Sequence, residues 1–297
     1  MAEEINQILR FIAGIFDVTL FLCFAPCHVI FVWTIYKDKT LWKFVAYRII
    51  FHLCIVNVLW LLATFELGIL TLALIKFPPI VVHIGGVLNW FTNSFMGILS
   101  FPQALNRFAA IMEIRPLNND FLYMILVGIS WLMIISSIIV STVFGTSRFF
   151  FITISFAYYA PFNMVNALNW FINTFYLYFI TTLLILSGIF YVIVVAVMIA
   201  KRRSIHKRDI FLLLQTIVPF IFLVIARLQN YYPHWMIVIT MFFVRSVPGL
   251  YAIAYLVFNR TLRESVKKTL NITIKTKVKS VTFTQISEQK ANRTVKP

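Results

Sequence analysis

FINTFYLYFITTLLILSGIFYVIVVAVMIA, residues 171–200, holds no acid and no base, and it runs straight into KRRSIHKRD at 201–209. That junction decides the fold. A helix needs about 20 mostly apolar residues to cross the hydrocarbon of a bilayer, and this run is longer. A strand of an outer-membrane barrel would alternate polar with apolar residues and stop after about 10. The stretch therefore reads as a helix that crosses lipid and leaves it through a cluster of Lys and Arg.

Six further segments have the same character: 11–35, 49–75, 84–111, 121–144, 210–229 and 235–258. Lys76 and the pair Pro78-Pro79 separate the second segment from the third, because proline lacks an amide donor and disfavours helix just before it. The whole chain agrees. Of its 297 residues 61% are hydrophobic and 12% charged, with a mean hydropathy of +0.90. So few charges could not cover the surface of a soluble protein of this length. The expected architecture is an all-α membrane protein: a seven-transmembrane helix bundle over 1–258, an amphipathic surface helix over 259–270 and a disordered basic tail over 271–297.

Seven crossings put the termini on opposite sides. With the N-terminus outside, the outer segments hold Arg10, Lys76, Arg148 and Arg227. The inner ones hold four basic residues in 36–48, two in 107–120, five in 201–209 and ten from Arg260 to Lys296. This is the positive-inside pattern. It accounts for the net charge of +16 as a rim facing anionic lipid, with no nucleic-acid partner required. No cleavable leader is evident, and the sequons at Asn259, Asn271 and Asn292 fall on the inner side, where they stay unglycosylated. The 145–170 loop, the longest connection, is rich in Phe, Tyr and Asn and is expected to fold over the bundle as a lid.

Catalysis is not indicated. Cys23, Cys27 and Cys54 lie in the first two spans, and the five histidines are scattered. No metal-ligand spacing, phosphate loop, dinucleotide turn or Ser-His-Asp arrangement occurs, so neither enzyme activity nor a metal or cofactor is expected. NRTLRESVKKTL, 259–270, repeats Leu262, Val266 and Leu270 every four residues with Arg263, Lys267 and Lys268 off that face, as a helix lying on the inner membrane surface would. From 271 the tail is basic and rich in Ser and Thr.

LNRFAAI, 105–111, ends the third segment, and VPGLYAIAYLVFNRTLRES, 247–265, ends the seventh. These stretches resemble the Leu-Asn-Arg-Phe motif and the Pro-x-x-Tyr seventh helix of nematode serpentine chemoreceptors of the srx, srt and srv groups, within the rhodopsin-like G-protein-coupled receptor superfamily. Pro219 matches the kink proline of helix six. The resemblance implies a chemosensory receptor in the plasma membrane, as of sensory cilia, with a heterotrimeric G protein inside and a small-molecule ligand in the outer half. It implies that Asn106, Arg107, Phe108, Pro219, Pro248 and Tyr251 form the switch. Three departures stand out. The cysteines at the top of helix three and in the second outer loop are absent, Val247 replaces the asparagine before the proline, and Asn106 replaces the acid before the arginine. The tail hydroxyls, among them Thr273, Thr276 and Ser280, beside Lys275, Lys277 and Lys279, would offer an arrestin-type site once phosphorylated.

Other readings stand beside these. Arg107 can snorkel to phosphates as a plain edge anchor. Asn89, Asn93 and Met96 share a helical face, and Asn173, Tyr178, Trp235 and Thr240 are brought to the same half. Together they suit a ligand cavity, yet asparagine and threonine also join membrane helices directly. Glu66 and Arg245 lie at depths of about 13 and 15 Å on neighbouring helices. An ion pair is expected because a lone charge at that depth costs at least about 2.5–3.5 kcal/mol; Asp17 is a second candidate partner for Arg245. Such a pair fixes packing, or acts as a lock, or frees Arg245 for an anionic ligand. The alternative function is a seven-helix transporter or channel, which would predict internal symmetry between two halves.

Overall fold

The computed structural model describes residues 2–73, 78–143, 150–152, 157–159, 167–200, 207–227 and 234–270. In chain order these form α1 (Ala2–Lys37), α2 (Lys39–Trp42), α3 (Val45–Ala73), α4 (Pro79–Met112), a 3-10 turn (Arg115–Asn118), α5 (Asp120–Val143), β1 (Phe150–Ile152), β2 (Ala157–Tyr159), α6 (Ala167–Ala200), α7 (Lys207–Arg227), α8 (His234–Phe258) and α9 (Arg260–Thr269). Each of the seven apolar segments coincides, in its described part, with one long helix. Four of those helices contain a stretch long and apolar enough to cross a membrane: Gln7–Lys37, Val45–Ala73, Tyr178–Ala200 and Met241–Phe258. In α5 and α7 the apolar stretches are shorter, at Asp120–Ser136 and Ile210–Ile225.

The seven helices differ in polarity for a physical reason. α4 touches α3, α5, α6 and α7, so most of its surface meets protein. It can carry Asn89, Asn93, Gln103, Asn106 and Arg107 where a lipid-facing helix could not. Met96, Leu99, Ala104 and Ala109 of α4 have no exposed surface. By contrast Leu22, Trp33, Ile185 and Val192 point outward and are exposed. On a soluble protein such a surface would aggregate; in a bilayer it faces hydrocarbon.

α4 starts at Pro79, with Pro78 as its cap. Proline suits a first helical turn, whose amides have no intrahelical acceptor. α7 starts at Lys207, three residues before the predicted span, so the helix does extend into the basic loop. The continuation expected of α6 would fall at 201–206, outside the described residues, as does the tail from 271. An all-α chain is expected, and the described residues are helical apart from one short hairpin. Within the 145–170 loop β1 and β2 pair antiparallel, Phe151 opposite Tyr158, and both strands touch α4. Residues 167–170 already belong to α6, and 145–149, 153–156 and 160–166 lie outside the described residues.

At one end of the bundle the chain is tied together by polar side chains. Arg48 at the start of α3 pairs with Asp120 at the start of α5. The Tyr47 hydroxyl donates to Asn259 Oδ1 at 3.1 Å. Ser265 Oγ donates to Asp38 Oδ2. This is the end where the sequence concentrates Lys and Arg, called here the basic end. Asn259 also caps α9, its Oδ1 accepting from the Leu262 amide at 3.0 Å. A helix resting on lipid is expected here, but Leu262 is fully buried and Val266 packs against the core. The apolar stripe docks on the protein because the cap at Asn259 turns it inward; Leu270 alone of the three stays exposed.

Candidate functional site

The basic end is also where Arg107 lies. Asn106 faces the Tyr123 hydroxyl of α5. Arg107 is part-buried and within electrostatic reach of Tyr191 on α6 and Tyr255 on α8. Phe108 stacks on Phe190 of α6 at a centroid distance of 4.9 Å. Tyr251 and Tyr255 are fully buried, one turn apart, with ring centroids 5.9 Å from each other. Thr216 of α7 lies beside Tyr191, whose ring meets Phe220 at 5.0 Å. Arg107 thus lies within electrostatic reach of hydroxyls contributed by α6 and α8. The hydroxyls of Tyr191, Tyr251 and Tyr255 make no hydrogen bond of ordinary geometry among the described residues. Burying a polar group in that state costs about 1–3 kcal/mol, so the arrangement is one from which a repacking can gain.

Both prolines of the expected switch, Pro219 and Pro248, lie inside helices, α7 and α8. Pro248 has a partner that the sequence did not suggest: His28 of α1, fully buried, sits with Nε2 at 2.9 Å from the Pro248 carbonyl oxygen. Tyr191, Tyr255, His28 and Asn259 are the residues that sequence reading missed. For Tyr255 a signal existed, its one-turn spacing from Tyr251. Tyr191 and His28 are single residues in apolar runs and gave none.

Toward the other end, Arg245 Nη1 donates to Asp17 Oδ2 at 2.7 Å, and both residues are buried. Asp17 is the second candidate of the sequence reading, while Glu66, the first, is part-buried on α3. The depth of Asp17 explains its place. It lies ten residues past Gln7, where the apolar stretch of α1 begins, and Arg245 lies eleven past the start of α8 at His234. Close approach of α1 to α3 completes the arrangement. A Cβ on Gly68 would sit 2.9 Å from Asp17 Cβ and 3.0 Å from the Gly14 carbonyl oxygen, so only glycine lets α1 come that near.

The ligand-cavity residues divide. Asn89 and Asn93 are part-buried, and Met96 is fully enclosed in the core. Asn173 lies in α6, and Trp235 and Thr240 in α8, but their side chains are outside what the structure describes. Tyr178 is a correction. It is 68% exposed, on the stripe of α6 that includes Thr182, Ile185, Ile189 and Val192. The inward stripe is Ile180, Leu184, Ser187, Tyr191 and Val194. Tyr178 therefore faces away from the bundle interior. Helical spacing separates the two stripes by about half a turn, and apolar residues occupy both, so hydrophobicity alone could not tell them apart.

No family model matches the sequence, and no curated protein matches it. Among solved structures the chain is similar to squid rhodopsin, with 13% identity, 98% of this chain and 93% of that chain covered, and a TM-score of 0.67. The likeness is one of fold. With the apolar helices it indicates a multi-pass membrane protein with the fold seen in squid rhodopsin.

Proposed function

We propose that the chain is a chemosensory receptor of the plasma membrane, kin to the nematode serpentine receptors. In this reading all seven long helices cross the bilayer with the N-terminus outside, a small molecule binds in the outer half, and a heterotrimeric G protein is activated at the basic end. The observation that carries the reading is the placement of Arg107 at that end, against buried hydroxyls from α6 and α8. A plain edge anchor would reach outward to phosphate. A part-buried guanidinium within electrostatic reach of neighbouring helices can exchange partners without losing its charge, as a switch needs. When the ends of α6 and α7 separate, Arg107 and the tyrosines become accessible to a docking helix. The small-molecule cavity in this account uses Asn89, Asn93 and Met96, with Asn173, Trp235 and Thr240 completing it.

The test is direct. Protein reconstituted in lipid is assayed for guanine-nucleotide exchange on added Gα and for solute flux in sealed vesicles. Exchange without flux supports the receptor; flux without exchange makes the chain a transporter and overturns the reading.

A further inference from the structure

The charges at the basic end do not balance among themselves. Asp38 accepts from Ser265 and from Thr40, and Glu264 pairs with Arg260. Arg48 is held by Asp120, and Arg263 donates to the carbonyls of Leu256 and Val257. Asp120, Glu264, Arg48, Arg260 and Arg263 are therefore occupied, and Asp38 is held by neutral donors. Five lysines, Lys37, Lys39, Lys43, Lys267 and Lys268, remain exposed and take part in no ion pair among the described residues. The Ser265–Asp38 bond fixes their mutual position. Lys37 and Lys39 flank Asp38 in sequence, and Lys268 is one turn beyond Ser265 on the same side of α9. Exposed Tyr36, Trp42 and Phe44 each adjoin one of these lysines in the chain, and the Tyr36 and Trp42 rings meet edge to face at 6.4 Å. Aromatic residues of this kind settle at headgroup depth.

From this placement we infer that the junction of α1, α2 and α9 binds the headgroup of a phospholipid that carries phosphomonoesters, such as a bisphosphorylated inositol lipid. Several lysines carried by elements that meet at one junction favour a compact, multiply charged anion over singly charged lipids spread in the plane. The aromatic rim favours a ligand anchored in the membrane over a soluble phosphate. The inference rests on the reading of the chain as a membrane bundle, but it needs no coupling to a G protein.

Full-length protein in nanodiscs, where both leaflets are accessible, is titrated with a fluorescent phosphatidylinositol bisphosphate and, separately, with phosphatidylserine at matched total charge. The bisphosphate lipid is expected to bind at least about tenfold more tightly. Each lysine near the headgroup contributes roughly fivefold, so Lys39→Gln and Lys268→Gln should each lose about that factor, and the triple variant with Lys37→Gln more than tenfold. Arg10→Gln, at the other end of α1, should change nothing. The single variants keep the question decidable where the triple variant fails to fold. Equal binding of the two lipids at matched charge, or an equal loss with Arg10→Gln, would overturn the inference. So would competition by soluble inositol trisphosphate at the same concentration as the lipid, because the site would then be one for free phosphate.

Discussion

Arg107 and Tyr255 can be separated experimentally because one supplies charge and the other a hydroxyl. Arg107→Ala should lower ligand-driven nucleotide exchange by at least about tenfold while ligand affinity stays near its original value, since the residue is remote from the other end of the bundle. Tyr255→Phe keeps the ring in the core and removes only the hydroxyl within electrostatic reach of Arg107; it should shift basal exchange without reducing folded yield. Unchanged exchange in well-expressed variants of both would take this pair out of the mechanism. Glu113 poses a different residue-scale question. It closes α4 with φ 55°, the left-handed region, and its amide donates to the Ala109 carbonyl. Only glycine and, less well, asparagine adopt that backbone without strain. Glu113→Gly should raise stability by about 0.5–1 kcal/mol and Glu113→Val should lower it, as read from thermal midpoints in detergent. Residues of this kind were only partly legible in the sequence. Arg107 stood out as a charge at the end of an apolar run, whereas Pro248 and Tyr251 were singled out only by the resemblance. Tyr178 was misplaced, because lipid and protein interior are both apolar and leave the two faces of a membrane helix alike.

At the scale of elements, helices were easy to read and their attachments were not. Twenty apolar residues in a row have one stable form in lipid, since every backbone group must be satisfied within the segment. The hairpin of β1 and β2 lies outside that constraint and carried no turn signal to separate it from the rest of the 145–170 loop. Nor did the spacing of Leu262 and Val266 tell whether their partner was lipid or protein; the Asn259 cap and the Tyr47 hydroxyl decided it. The attachment of α9 should depend on pH in a defined direction. The hydrogen bonds from Ser265 and then Thr40 hold the Asp38 carboxyl at about 2, below its ordinary 3.8. A depressed carboxyl stabilises the docked helix above the ordinary value and loses that contribution as pH falls through the lower one. Protection of the 259–270 amides, relative to their intrinsic exchange rate at each pH, should be constant from about pH 8 to 5 and fall between about pH 4 and 2. Asp38→Asn should lower that protection at neutral pH and remove its acid dependence. The approach of α1 to α3 can be tested with Gly68→Ala, whose new methyl meets Asp17 Cβ and the Gly14 carbonyl. It should destabilise the fold by about 1–3 kcal/mol and reduce the yield of monodisperse protein.

In the molecule as a whole, the ion pair between Asp17 and Arg245 is expected to govern assembly more than net stability. Two charges buried together gain little over apolar residues of the same size, but removing one partner of such a pair costs about 3–5 kcal/mol. Asp17→Asn and Arg245→Gln should each impair surface delivery, and the exchange Asp17→Arg with Arg245→Asp should recover part of it, as counted by surface labelling of cells. An exchange variant no better than the single ones would mean that the pair is not what holds these helices. Asp17–Arg245 is also the first of three links from α1 and its exit to the last helices. His28 to the Pro248 carbonyl is the second, and Asp38 to Ser265 the third. They fall at successive depths along one seam. A seam riveted at three heights resists twisting as well as separation, so α1, α8 and α9 form the fixed leaf of a hinge. In the proposed receptor, ligand binding then moves α6 and α7 against that leaf, and Pro219 inside α7 is where the helix can bend. Spin-label distances between α1 and α8 should stay constant on activation, while those from α7 to α4 lengthen at the basic end.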